Sequence, residues 1–293
     1  MDYETPQFFH VMQYADAADG DVIDMVSGNP DWEPPEAIRE GLGEYAEADA
    51  DEFQYPPSDG LEPLREEIAQ RRNVDPDRVI VTNGTGEANY LGIARALDRE
   101  AGDECVLIDP VYPYYPGKVS MLDGETRLVE AARDGSLDTE ATCEAIGPDT
   151  ALVILNTPNN PTGAVYDIES VRAVVETAAD HDAVVVVDEV YDHFDFSGAF
   201  ESALTLDADN VIVTSGVSKS MAITGFRVGY AIFPPHLVGA AKTRHMLVNV
   251  TGSRPAQQAV YTAYRNSAPD YYAAARDRLT DRIEAFTSAL DEA

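Results

Sequence analysis

Ala183-Val184-Val185-Val186-Val187-Asp188-Glu189-Val190-Tyr191 is an apolar run that ends in two carboxylates and a phenol. Five apolar residues in succession, four of them valine, fit a strand buried on both faces, the habit of parallel sheets covered by helices. The polar end is then the carboxyl edge of such a sheet, where open α/β folds bind ligands. Outward from this run, six more short β-branched stretches are bounded by turn residues, at 78–82, 104–108, 126–129, 151–155, 211–214 and 228–233, and all seven read as apolar on both faces. Helical patterns fall between or after them at 60–72, 87–99, 168–180, 235–247, 257–264 and from 270 to the last residue. The alternation predicts a three-layer α/β/α architecture around a mostly parallel sheet.

The 293 residues are 44% hydrophobic, enough to bury a large core. The formal charge is −33, from 53 acidic residues against 17 arginines and three lysines, and it would work against a compact state at low salt. The acids are spread along the chain rather than gathered into a tail, which predicts a protein of salt-loaded cytoplasm, where short Debye lengths screen such a surface. The same charge argues against nucleic acid, whose phosphates it would repel. Met1-Asp2-Tyr3-Glu4-Thr5-Pro6 lacks the basic flank and apolar stretch of a signal peptide, and no segment has the apolar length of a membrane span. Cys105 and Cys143 stand apart without metal or redox spacing, and five scattered histidines give no ligand pattern, so no metal site is expected.

Lys219, in Ser215-Gly216-Val217-Ser218-Lys219, is followed eight residues later by Arg227 in Gly225-Phe226-Arg227-Val228-Gly229-Tyr230. A lysine amine, a buried carboxylate, a phenol and an arginine are the groups needed to hold pyridoxal phosphate as a Schiff base. Val81-Thr82-Asn83-Gly84-Thr85-Gly86-Glu87 reads as strand, glycine turn and helix start, whose exposed N–H groups and dipole suit a phosphate. Arg227 can add a fixed positive charge there. Asn156-Thr157-Pro158-Asn159-Asn160-Pro161-Thr162-Gly163 is dense in turn residues and is a candidate for a cis X-Pro bond.

In this order and spacing the motifs resemble the class I and II aminotransferases of the fold type I pyridoxal-phosphate enzymes, from about Ser27 to Tyr264. The resemblance implies a large cofactor-binding domain over 28–265, preceded by an N-terminal segment over 1–27 and followed by the start of a small domain over 266–293. It makes Lys219 the Schiff-base lysine and proton carrier, Asp188 the partner of the pyridine nitrogen, and Tyr191 with Asn160 the partners of the ring's phenolic oxygen. Asn156 is assigned to bracing that loop. The phosphate is expected on Asn83, Gly84 and Thr85, beside Arg227 and Ser218. Where the family often has serine or threonine three residues before the lysine, this chain has Gly216. Tyr112 is expected to stack on the pyridine ring.

Tyr55, in Gln54-Tyr55-Pro56-Pro57, matches a tyrosine that reaches the phosphate of a neighbouring subunit, which implies a homodimer with shared sites. Gly28 is expected to line the substrate side, and Arg254 is a candidate for the substrate carboxylate. The family normally continues into a small domain with a carboxylate-clamping arginine, so a fragment is expected here, with Arg254 or another group as the alternative clamp. The expected reaction is amino transfer from an amino acid to a 2-oxo acid by a ping-pong cycle. A lyase or decarboxylase using the same cofactor, or a non-catalytic binding module, is the alternative.

Overall fold

The computed structural model describes residues 7–25, 27–99 and 101–291; the reading of residues 1–6 and the last two residues of the final helical pattern lie outside them. All seven expected strands form: β1 Val79–Thr82, β2 Glu104–Asp109, β3 Glu125–Glu130, β4 Thr150–Asn156, β5 Val184–Asp188, β6 Val211–Gly216 and β7 Gly229–Ile232. They make one sheet in the order β1-β7-β6-β5-β4-β2-β3. The neighbours from β3 through β2, β4 and β5 to β6 are parallel, whereas β7 runs antiparallel to both β6 and β1.

The helices are α1 Gln7–Asp16, α2 Glu36–Ala46, α3 Glu62–Arg72, α4 Thr85–Leu97, α5 Tyr114–Met121 and α6 Thr139–Ala145. They continue as α7 Ile168–Asp180, the single turn α8 Val217–Ser220, α9 Pro235–Asn249, α10 Arg254–Asn266 and α11 Tyr271–Asp291. No helix among the described residues is long and apolar enough to cross a membrane.

β5 sits at the centre, and its alternation decides the layers. Val185 and Val187 pack with Val153, Leu155 and Val213 against Val171, Val174 and Ala178 of α7. Val184 and Val186 face the other way, into a cluster with Leu152, Ile154, Ile212 and the Leu91 and Ile93 side chains of α4. Each such buried valine contributes about 1.5–3 kcal/mol of apolar transfer.

The expectation that every strand is apolar on both faces fails at β3. Only Val129 is buried there, because β3 is an edge strand and its Glu125, Arg127 and Glu130 face water. Five helices lie outside the expected patterns, the single turn α8 among them. In α5, Pro116 and Gly117 interrupt the periodicity, and α6 is a short helix started by Asp138, whose side chain accepts from the Ala141 amide. α1 and α2 were likewise unmarked, and α2 follows Pro34-Pro35 without a side-chain cap. Helix starts also shift: α4 begins at Thr85 and α10 at Arg254, each a few residues earlier than the pattern suggested.

Candidate active site

Strand register builds the site. Asn156 on β4 pairs with Asp188 on β5, and Asp188 with Thr214 on β6, so three polar side chains stand abreast at the carboxyl edge of the sheet. The chain leaves β6 at Gly216 and enters α8, which delivers Lys219 to the same edge.

Asp188 is 3% exposed, and its carboxylate accepts from Asn89 Nδ2 at 2.7 Å, Tyr115 Oη at 2.8 Å and the Val190 amide at 3.1 Å. Burial pushes its carboxyl above the ordinary value, against the pull of Asn89, Tyr115, the Val190 amide and the charge of Lys118. Asn89 is itself oriented by Thr214, whose hydroxyl donates to Asn89 Oδ1.

Asn156 braces the neighbouring loop. Its Nδ2 donates to the Asp188 carbonyl at 3.0 Å and its Oδ1 accepts from the Asn160 amide at 2.7 Å. That leaves the Asn160 side chain to face Tyr191, Nδ2 to Oη 3.5 Å. Burial and the nearby Asp188 push the Tyr191 phenol up to about 12. The loop contains cis bonds at Thr157-Pro158 and Asn160-Pro161.

Lys219 Nζ donates to the Gly28 carbonyl at 2.6 Å. Burial first, and then the guanidinium of Arg227, holds this amine below the usual lysine value. Arg227 has φ +55°, a left-handed conformation that costs a side-chain-bearing residue about 1 kcal/mol. From there it donates to the carbonyls of Thr224 at 2.9 Å and Asn83 at 3.4 Å, with the Ser218 hydroxyl 3.5 Å away.

The glycine turn expected to hold a phosphate differs in one respect from the expectation. The Asn83 amide is already bonded to Glu87 Oε2 at 2.6 Å and the Gly84 amide to the Thr82 carbonyl at 2.8 Å. The groups that line the cavity are instead Thr85 and Gly86, at the first turn of α4, and the buried Thr85 hydroxyl has no hydrogen-bond partner among the described residues. Gly84 matters by its shape: at φ +81° it brings the turn so near that a Cβ would lie 2.3 Å from Arg227 Nη2. The glycine at position 216 has a steric reason too, since a Cβ there would come within 2.5 Å of Thr85 Oγ1.

Thr85, Tyr112, Asn160, Asp188, Tyr191, Ser218, Lys219 and Arg227 line one cavity of about 300 Å³. Tyr112 lies beside Tyr114, their ring centroids 5.0 Å apart. Gly28 touches the cavity through its bond to Lys219, and Asn83 and Gly84 form the turn behind it. Two expected residues lie elsewhere in the single chain. Tyr55 is 82% exposed, and Arg254 is ion-paired with Glu52 and donates to the Gln54 carbonyl at 3.3 Å. Sequence reasoning missed Asn89, Tyr115, Lys118 and Gly86. Asn89 left a trace, an amide set within the apolar run of α4, whereas Tyr115 was hidden in a cluster of tyrosines.

A model of the family described as aminotransferase class I and II matches residues 20–293. This chain belongs to the class I and II aminotransferases. It is 34% identical over 219 residues to a probable aspartate aminotransferase of Methanocaldococcus jannaschii, covering 73% of this chain and 57% of that one. It is 36% identical over 228 residues to a probable aspartate/prephenate aminotransferase of Thermus aquaticus, covering 75% of this chain and 58% of that protein. The chain therefore spans a little under three-fifths of the length of these curated relatives. Among solved structures, N-succinyldiaminopimelate aminotransferase from Mycobacterium tuberculosis superposes with a TM-score of 0.87 at 30% identity, over 99% of this chain and 77% of that chain.

Class I and II aminotransferases depend on pyridoxal phosphate, and the donor set fits it. The unpartnered Thr85 hydroxyl, the first turn of α4 and the Arg227 guanidinium converge as an anion site at one end of the cavity. A carboxylate, an amine and an amide-phenol pair are arranged beyond it.

Proposed function

We propose that this chain carries the cofactor site of a pyridoxal-phosphate-dependent aminotransferase that moves an amino group between an amino acid and a 2-oxo acid in two half-reactions. The observation that carries this reading is the convergence of Lys219, Asp188 and Arg227 on one cavity, each held by separate elements of the sheet edge. When bound, the cofactor supplies an electron sink for the pair left behind when a substrate Cα loses its proton.

The protein's own groups take distinct parts. Arg227, Thr85 Oγ1 and the Thr85 and Gly86 amides would hold the phosphate. The Tyr112 ring would pack on the pyridine ring, and Asn160 with Tyr191 would hold its phenolic oxygen. The Asp188 carboxylate would keep the ring nitrogen protonated. Lys219 would hold the cofactor's aldehyde carbon and, once displaced by the substrate amine, act as the base that takes the Cα proton and returns it to that carbon, on the other side of the substrate nitrogen. A lowered lysine value suits that task, because the amine must be neutral to accept a proton. Gly28 and Asn160 would line the substrate side, and Arg254 would meet a carboxylate only by leaving Glu52. The exposed Tyr55 is assigned to the phosphate of a second copy, in a homodimer. The family's division into 28–265 and 266–293 is kept within the same proposal, as are a cytoplasmic setting and a high-salt one.

The relatives' names include aspartate, prephenate, N-succinyldiaminopimelate and methionine, so the substrate class is amino acids and their 2-oxo counterparts, without a choice among them. A test mixes the chain with the cofactor, treats it with borohydride and maps the modified peptide. The label is expected on Lys219 and absent in Lys219→Ala, while a label on Lys118 or Lys242 overturns the assignment. Adding amino acids one at a time then separates the reactions. Transfer converts the cofactor stoichiometrically to its amine form, whereas a lyase releases an oxo acid and leaves the aldehyde.

A further inference from the structure

We propose that Lys118 is a positioning residue, whose ammonium reaches back from α5 to serve as the counter-charge of Asp188 in the cavity. The inference concerns two groups of this chain and stands whether or not the transfer reaction is right.

The chain has three lysines, and two of them, Lys118 and Lys219, line the same cavity. The third, Lys242, is paired with Asp59 at 2.8 Å. Lys118 lies on α5 one turn beyond Tyr115, the residue whose hydroxyl bonds Asp188 at 2.8 Å. Helical side chains lean toward the helix N-terminus, so the Lys118 stem runs back toward the cavity. Its Nζ comes to 5.1 Å from the centre of the Tyr114 ring, four residues earlier. Among the described residues this ammonium has no ion pair or hydrogen bond; burial holds its amine below the usual value, and the charge of Asp188, which lines the same cavity, works against that.

The need is visible from the other side. Among the described residues every hydrogen bond to the Asp188 carboxylate comes from a neutral donor: Asn89 of α4, Tyr115 of α5 and the Val190 amide. The other ionisable groups around it are committed elsewhere or stay neutral. Arg227 bonds the Thr224 and Asn83 carbonyls, and Lys219 bonds the Gly28 carbonyl. Burial keeps the phenols of Tyr112, Tyr115 and Tyr191 protonated. Burial pushes this carboxyl up, the neutral donors oppose that first, and Lys118 is the cation that adds to their pull. The simpler alternative is that Lys118 only lays its stem on Tyr114 and has no hold on Asp188.

The experiment follows the isotope-labelled aspartate carboxyl resonances of the full chain through a pH titration, with the Asp188 signal identified by its loss in Asp188→Asn. In Lys118→Met the Asp188 midpoint should rise by about one unit or more, a tenfold change in proton affinity, and Lys118→Arg should restore it. A Lys118→Met titration that superimposes on the wild type overturns the proposal. The reciprocal measurement needs no Lys118 variant: the Lys118 amine should titrate at lower pH in Asp188→Asn than in the wild type. An unmoved Lys118 titration overturns the proposal equally.

Discussion

At the residue scale, the clearest chemical statement is the pairing of Lys219 with Arg227. Burial disfavours protonation of the Lys219 amine, and the second positive charge in the cavity, the Arg227 guanidinium, acts in the same direction. Lys219 is therefore neutral at a lower pH than an exposed lysine, and its nucleophilic form is available sooner as pH rises. Arg227→Met removes the second cause and leaves the first. The Lys219 titration should then move up, toward but not reaching the ordinary value, and its rate of acylation at a fixed pH near neutrality should fall. The check is a pH–rate profile for acylation of Lys219, with the signal of Lys118 and Lys242 subtracted using Lys219→Ala. A profile that stays in place, or moves to lower pH, contradicts the electrostatic reading of Arg227.

At the scale of elements, the strand that carries Asp188 is held by a buried ion network at its end. Arg72, the last residue of α3, donates to Glu189 Oε2 at 3.1 Å, to Asp192 and to the Tyr230 hydroxyl at 2.8 Å. Glu189 has no exposed side-chain surface and also accepts from Ser202 Oγ and the Ala203 amide, both at 2.9 Å. Because Glu189 lies between Asp188 and Tyr191, the network sets the path of the segment that presents both. Arg72→Met would strand two acidic side chains, and such a break costs about 3–5 kcal/mol. Urea unfolding at high salt should show a loss of that order; a loss below about 1 kcal/mol would mean the network is spectator to the fold.

Strands buried on both faces were legible because Val184 to Val187 need no partner residue to be recognised, and Lys219, Asp188 and Arg227 because their chemistry is specific. Arg72, Asn89 and Tyr115 were not, since each gains its meaning from a residue far along the chain. The glycine turn at the start of α4 shows the limit most sharply. The segment was readable, yet only the bonds from the Asn83 amide to Glu87 and from the Gly84 amide to the Thr82 carbonyl reveal which amides are taken.

For the whole molecule, charge is the dominant question. With 53 acidic against 20 basic residues, most carboxylates have no opposite charge to pair with, even though arginines such as Arg39, Arg72 and Arg244 each hold an acidic partner. The net −33 must be held together by the apolar layers on either side of the sheet, against a repulsion that reaches across the surface at low salt. The Debye length shrinks from about 10 Å at 0.1 M to about 3 Å at 1 M, so distant carboxylates cease to repel while the close pairs keep part of their attraction. The urea midpoint should therefore climb steeply between about 0.1 and 1 M potassium chloride and then flatten, because screening is nearly complete once the Debye length is shorter than the spacing of surface charges. Sodium chloride at equal ionic strength should give the same curve. A sulfate salt should exceed it and keep rising, since exclusion from the surface strengthens apolar burial on top of screening. A midpoint that is flat or falls with potassium chloride would show that the acidic surface imposes no repulsive penalty on the fold.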